Sequence, residues 1–179
     1  MLPSIYSIRS ATVTDARAIA EIHVHAWQAA YRGIMPESVL DSLSTDEREQ
    51  FWLSVLETNA RHNLVLEESA RILGWAAFGP ARDPDLDAQK IFELYGIYFH
   101  PLAWGHGLGR YLYKAAEEHM KRLPVEGVIL WVLKENIRAR KFYETMDFIL
   151  EPNQIKVLER EETQLPEVRY QKKLIGSQE

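Results

Sequence analysis

Residues 101–110 read PLAWGHGLGR, with glycine at alternate positions 105, 107 and 109. The residues on either side tell what this stretch joins. Before it, KIFELYGIYFH (90–100) is rich in β-branched and aromatic residues, a strand signature. After it, Leu108, Leu112, Ala115, Ala116, His119 and Leu123 recur at helical spacing. The stretch is therefore a strand-to-helix turn. The first turn of a helix leaves several N–H groups unpartnered, and the helix dipole favours negative charge there. Glycines let those amides converge, because no Cβ intervenes. Two readings follow: a plain tight turn, or a grip for a phosphate or pyrophosphate. The dinucleotide fingerprint G-x-G-x-x-G fails, since Arg110 occupies the third glycine position. The P-loop fails as well, because no glycine-rich stretch ends in Gly-Lys-Ser/Thr.

Working outward, IYSIRSAT (5–12) reads as a first strand, and Thr12 with Asp15 forms a capping-box pair opening a helix to about Tyr31. Ala16, Ala20, Trp27 and Tyr31 fall near one face of it. GIMPESVLDSLSTDEREQFWLSVLET is a loop followed by one or two helices, with Thr45 as a cap. HNLVLEES and RILGWAAFGP are two strands meeting at a polar turn, and ARDPDLDA is a loop. EGVILWVL is continuously apolar, as a central strand is. Asn136 caps a helix whose inner face is Ala139, Phe142, Tyr143 and Met146. QIKVLER and EVRYQKKL are two closing strands. Strands outnumber helices, which predicts one mixed α/β domain over 1–179, built on a single sheet.

Two blocks read together carry more than either alone. GIYFHPLAWGHGLGRYLYKAAEEHM followed by LWVLKENIRARKFYETMDF resembles the GNAT superfamily of N-acetyltransferases. Its acyl-CoA signature R/Q-x-x-G-x-G/A aligns on 104–109. Its second signature, N-x-x-A-x-x-x-Y followed by Gly-Phe, aligns on Asn136, Ala139, Tyr143 and Phe148. Trp104 replaces the usual Arg or Gln, and Asp147 replaces the usual Gly before Phe148. The resemblance spans roughly residues 5–175. It implies a mixed, mostly antiparallel sheet of six to seven strands flanked by helices.

The resemblance also implies chemistry. Acetyl-CoA would be the co-substrate, its pyrophosphate on the amides of Trp104, Gly105, His106, Gly107, Leu108, Gly109 and Arg110. The pantetheine arm would pair with Ile97, Tyr98 and Phe99 as an added strand, and Asn136 would bond it from the opposite side. An amide at or beside Phe99 would stabilise the oxyanion of the acyl transfer. Tyr143 is the expected acid for the leaving thiolate, since a phenol of pKa about 10 can protonate a thiolate of pKa about 8.5; its other reading is a buried aromatic. Glu93 lies in an otherwise apolar strand, by alternation on the same face as Tyr95, Ile97 and Phe99. It is either the base or a water-relaying carboxylate, or it reaches solvent or an arginine. In acetyltransferases of ribosomal-protein N-termini a glutamate stands at the position of Trp131, so that base is missing here. Trp27, Tyr31 and Tyr95 either line the acceptor pocket or pack in the core. Arg138, Arg140 and Lys141 either approach the 3′-phosphate or form a solvated face.

Composition narrows the class. The 179 residues carry 21 Lys and Arg against 26 Asp and Glu, a formal charge of −5, which speaks against a nucleic-acid partner bound through a broad basic face. There is no cysteine, so disulfides, thiolate metal sites and a protein-thiol acyl intermediate are excluded. His23 and His25 lie two apart on a helix and so on different faces, which argues against a metal. No apolar run reaches the ~18 residues of a membrane span, and MLPSIYSIRS lacks the features of a signal peptide. The expectation is a cytoplasmic enzyme whose partner is an amine-bearing acceptor, independent of membrane. Homodimers are frequent in the superfamily.

Overall fold

The computed structural model describes residues 5–58 and 60–174. The outermost parts of the 1–179 domain expectation therefore lie outside the described residues. Seven strands form one sheet: β1 (Tyr6–Ser10), β2 (His62–Glu68), β3 (Arg71–Pro80), β4 (Ile91–Phe99), β5 (Gly127–Leu133), β6 (Ile149–Arg160) and β7 (Thr163–Lys173). Their order is β1-β2-β3-β4-β5-β7-β6, antiparallel throughout except for β4 against β5. The helices are α1 (Ala16–Tyr31), α2 (Glu37–Asp41), α3 (Thr45–Thr58), α4 (Leu108–Lys121) and α5 (Ile137–Glu144). This is the mixed, mostly antiparallel sheet that the resemblance implies. Among the described residues, no helix is long and apolar enough to cross a membrane.

Local chemistry explains the element ends. The Thr12 amide donates to Asp15 Oδ2 at 2.7 Å, closing the capping box ahead of α1. The cap of α3 is Ser44, whose hydroxyl accepts from Glu47 N at 3.3 Å; Thr45, expected as the cap, is already the first helical residue, so the helix starts one place earlier than expected. Asn136 Oδ1 accepts from Ala139 N at 3.1 Å and starts α5. The two faces of the sheet are filled separately. Leu66, Ala76, Phe78, Leu94 and Val128 pack with Leu112, Tyr113, Ala116 and Met120 of α4 and Tyr143 of α5. Val65, Trp75 and Ala77 pack on the other face, with Ile19 and Ala20 of α1 and Trp52 of α3.

Strict alternation fails in β4. Ala77 opposes Gly96 but Phe78 opposes Leu94, so Tyr95 is an extra residue, a β-bulge. Phe92 and Leu94 face the α4 side, and after the bulge Ile97 and Phe99 do so again. Tyr95 and Tyr98 belong to the α1 side. Glu93 and Tyr95 therefore do not share a face with Ile97 and Phe99, as uniform alternation had implied. The inserted residue exchanges the two sides of the strand. β4 also stays beside β5 only over Ile91–Glu93, paired with Gly127–Ile129. Beyond that the two central strands part and leave a notch.

The end of α5 accounts for one departure from the family pattern. Phe148 N bonds Tyr143 O at 3.1 Å and Asp147 N bonds Glu144 O at 3.2 Å. This pair of bonds is a Schellman motif, with Asp147 at the left-handed position and φ of 66°. Its hydrophobic closure is Phe148 against Tyr143, ring centroids 5.9 Å apart. The usual glycine before the phenylalanine is the residue this φ favours. Asp147→Gly should raise stability by about 0.5–1 kcal/mol, the relieved backbone outweighing the extra entropy of the unfolded chain. A rise of a few degrees in Tm in thermal denaturation would show it. The exposed Asp147–Lys172 contact of 3.8 Å is too weak to reverse that sign.

Candidate active site

The notch widens into a cavity of about 640 Å³ that joins the glycine turn at one end to β5, β6 and β7 at the other. At the turn, Gly105 has φ of 84° and Gly107 has φ of 73°, and a Cβ at either would meet nothing within 4 Å. Glycine is there for backbone conformation, with open space above it. Gly109 serves packing instead, since a Cβ would lie 3.2 Å from Phe142. Trp104 N and Arg110 N are bonded to Pro101 O and Gly107 O. They bracket the amides of 105–109, for which no acceptor appears among the described residues. Trp104, Gly105, Gly107, Leu108, Gly109 and Arg110 all border the cavity, and His106 does not. Five unpartnered amides ahead of a 14-residue helix fit a pyrophosphate.

Trp104 has two partners of its own. Its indole N–H donates to Phe99 O at 2.9 Å, and the Arg138 guanidinium lies 3.9 Å from its ring centroid. The tryptophan thus braces the turn against β4 and holds one cation at the cavity edge. Arg140 is spent elsewhere, donating to Tyr170 Oη at 3.0 Å and to Lys134 O at 3.1 Å. Lys141 is exposed.

The ladder phase of β4 shows which main-chain groups meet the notch. His100 N bonds Leu73 O at 2.8 Å, so the opposed pairs 100/73 and 98/75 are the hydrogen-bonded ones. The N–H and C=O of Ile97 and Phe99 then point away from β3, toward the notch. Those of Tyr98 point to β3, and it is the Tyr98 ring that enters the cavity. Asn136, across the notch, uses Oδ1 for its cap and keeps its Nδ2 donors.

Tyr143 borders the cavity and is buried. Burial, with a smaller contribution from Tyr98, pushes its phenol well above the ordinary value of 10. It is therefore a proton donor throughout the neutral range. Trp27, Tyr31 and Tyr95 all border the same space, Trp27 half-buried and Tyr31 nearly closed off. Tyr31 and Tyr98 share a hydrogen bond of 2.8 Å between their hydroxyls. Tyr95 Oη donates to Pro80 O at 2.7 Å, and the Arg82 guanidinium lies 4.6 Å from its ring centroid.

Glu93 is 2% exposed and fully engaged. Its Oε2 accepts from Arg82 Nε at 2.9 Å and its Oε1 from Arg82 Nη2 at 2.5 Å, with the Arg82 amide adding a bond of 3.3 Å. Of the readings open to it, the arginine pair is the arrangement found. Trp131 Nε1 donates to Asp83 Oδ2 at 2.8 Å. His23 is buried and accepts from Trp52 Nε1 at 3.2 Å, its pKa lowered to about 3 by burial, while the exposed His25 packs edge-on to His100. Sequence reading passed over Glu167, which borders the cavity from β7. Its signal was faint: one acid among four in a charged tail segment between 159 and 167.

A model of the acetyltransferase (GNAT) family matches residues 18–148, and the chain belongs to that family. It is 29% identical over 130 residues to the uncharacterized N-acetyltransferase YuaI of Bacillus subtilis, covering 73% of each chain. It is 27% identical over 142 residues to the L-methionine sulfoximine/L-methionine sulfone acetyltransferase of Salmonella typhimurium, covering 79% of each. Among solved structures, the acetyltransferase yncA of Salmonella typhimurium, determined with acetyl-CoA, superposes with a TM-score of 0.74 at 24% identity. That alignment covers 96% of this chain and 95% of the other, and it speaks for the fold.

Proposed function

We propose that the protein transfers the acetyl group of acetyl-CoA to the primary amine of a small molecule by direct attack on the thioester, with free amino acids as the first acceptors to try. The observation that carries this is a single cavity joining five free helix-start amides to an end walled by aromatic and charged side chains. Gly105–Gly109 hold the pyrophosphate. The N–H and C=O of Ile97 pair with the pantetheine arm, and Asn136 donates from the other wall. The Phe99 amide, already aimed into the notch, is the donor for the developing oxyanion. Tyr143 supplies the proton to the departing sulfur, and Glu93 fixes Arg82 at the acceptor end.

Amino acids are favoured by the charges there. Glu167 lines that end without a partner among the described residues, ready for an ammonium group, and the Salmonella relative's name gives it amino-acid substrates. A working place in the cytoplasm, where acetyl-CoA is made and used, fits this reading. Two tests separate it from its rivals. In thermal shift, acetyl-CoA should raise Tm by several degrees at a concentration where ATP and NAD do little; a larger shift with ATP or NAD points to a nucleotide protein. In a thiol-release assay, acetyl-CoA with an amine panel should give turnover. Tight CoA binding with no transfer to any amine leaves a non-catalytic acyl-CoA-binding module.

A further inference from the structure

We propose that Glu167 receives the acceptor's ammonium group in the cavity and takes its proton, so that the base of the reaction comes from β7. This rests on the acetyl-transfer reading above. Glu167 lies on the face of β7 that also carries Leu165 and Arg169, opposite Leu133 of β5 on one side and Lys156 of β6 on the other. Of these three β7 residues, Glu167 borders the cavity.

The cations around it are committed to other partners. Lys156 is bonded to Asp83, and Arg82 to Glu93. Arg169 is held by Asp83, Asp85 and Glu151, and Arg160 Nη1 donates to the Glu159 carbonyl. Glu167 itself forms no ion pair and no side-chain hydrogen bond among the described residues. A half-buried carboxylate without a partner, facing a cavity, is costly unless a ligand cation meets it. Glu93, whose two oxygens are filled by one guanidinium, has no such vacancy.

The surroundings also suit a base. Desolvation raises the Glu167 pKa, and Glu93 adds to this, while Lys156, Arg160 and Arg82 pull against it. Its charge in turn opposes ionisation of the neighbouring phenols of Tyr31 and Tyr98, a smaller effect there than their own burial. A carboxylate raised above its ordinary range takes a proton from an ammonium with less penalty than a free glutamate. The Glu167 carboxylate takes one proton from R–NH₃⁺ and releases it to solvent. The amine nitrogen then bonds the thioester carbonyl carbon, and the C–S bond breaks with its electron pair on sulfur. The nitrogen sheds a second proton to Glu167, the sulfur takes one from Tyr143, and solvent returns the protons to balance. The net products are the amide, the CoA thiol and one proton.

The test compares wild type, Glu167→Gln and Glu167→Asp in thiol release. The acceptors are L-amino acids, L-methionine sulfone among them, and simple alkylamines, between about pH 6 and pH 10, with CoA affinity measured alongside. Glu167→Gln should bind CoA as wild type does and lose about a hundredfold in kcat/KM at neutral pH. It should regain rate as pH nears the amine's own pKa, where no base is needed, and Glu167→Asp should keep part of the activity. A Gln variant with wild-type kcat/KM at neutral pH overturns the assignment. So does an equal loss at every pH with weakened CoA binding, which marks a structural role. If wild type transfers to no amine, the acetyl-transfer reading falls and takes this one with it; an active wild type with an unaffected Gln variant removes this one alone.

Discussion

Tyr143→Phe is expected to lower kcat by about a hundredfold, the size of effect a positioned general acid contributes, while CoA affinity changes little. The substitution removes one oxygen and keeps the ring. The ring is what the fold uses: it packs on Phe142 and Phe148 with centroids 5.4 and 5.9 Å away and closes the Schellman turn. The hydroxyl has no side-chain hydrogen bond among the described residues and stands at the cavity wall. Stability should therefore stay near wild type, and the loss should appear in turnover. A hundredfold corresponds to about 2.7 kcal/mol of transition-state stabilisation. The pH profile adds an independent check. An acid fails when it is deprotonated, and burial has moved the Tyr143 phenol upward. Wild type should then show no basic limb from this residue below about pH 10, the ordinary tyrosine value. Steady-state kinetics with saturating acetyl-CoA, beside calorimetric CoA binding, measures both. Unchanged kcat would remove Tyr143 from the chemistry and leave it a packing residue.

Local signals were readable from the sequence wherever the backbone itself demands a residue type. The glycine turn, the Asn136 cap and the order of seven strands are of this kind, because φ angles, caps and periodicity are short-range matters. The bulge at Tyr95 was not readable. Nothing in IFELYGIYF marks where one extra residue sits, since that depends on how β3 registers against it. One misplaced residue was enough to put Glu93 on the wrong side of the strand. Long-range charge pairing was hidden for the same reason. Glu93 and Arg82 are eleven apart in sequence and Arg169 and Asp83 are 86 apart, so which carboxylates are taken and which is left over appears only in three dimensions. Glu167 was invisible because what distinguishes it is the lack of a partner.

Arg169→Ala is expected to destabilise the fold by about 3–5 kcal/mol at neutral pH, the cost of leaving a buried charge cluster without its counter-ion. Arg169 and Asp83 are each 3% exposed at the side chain, so solvent cannot replace the lost bonds. The guanidinium also holds Asp85 at 2.9 Å and Glu151 at 2.9 Å, tying the 81–90 loop to β6 and β7. Asp83 keeps Lys156 and the Trp131 indole, which places the expected effect toward the lower end of the range. The pH dependence follows from Asp83. Burial works to raise its pKa, but hydrogen bonds from Lys156, Arg169 and Trp131 outweigh it and hold the group below the ordinary value. A depressed carboxylate contributes stability above its unfolded pKa, about 3.9, and that contribution fades as pH falls through the folded value. The gap between wild type and variant should thus be full at pH 7 and should narrow below about pH 4, where protonated Asp83 no longer needs a cation. Urea denaturation at the two pH values measures it. The same loop carries Arg82 to Glu93, so the variant should also raise KM for the acceptor more than KM for acetyl-CoA. An equal rise in both would mean that the network supports the whole sheet and has no special hold on the acceptor end.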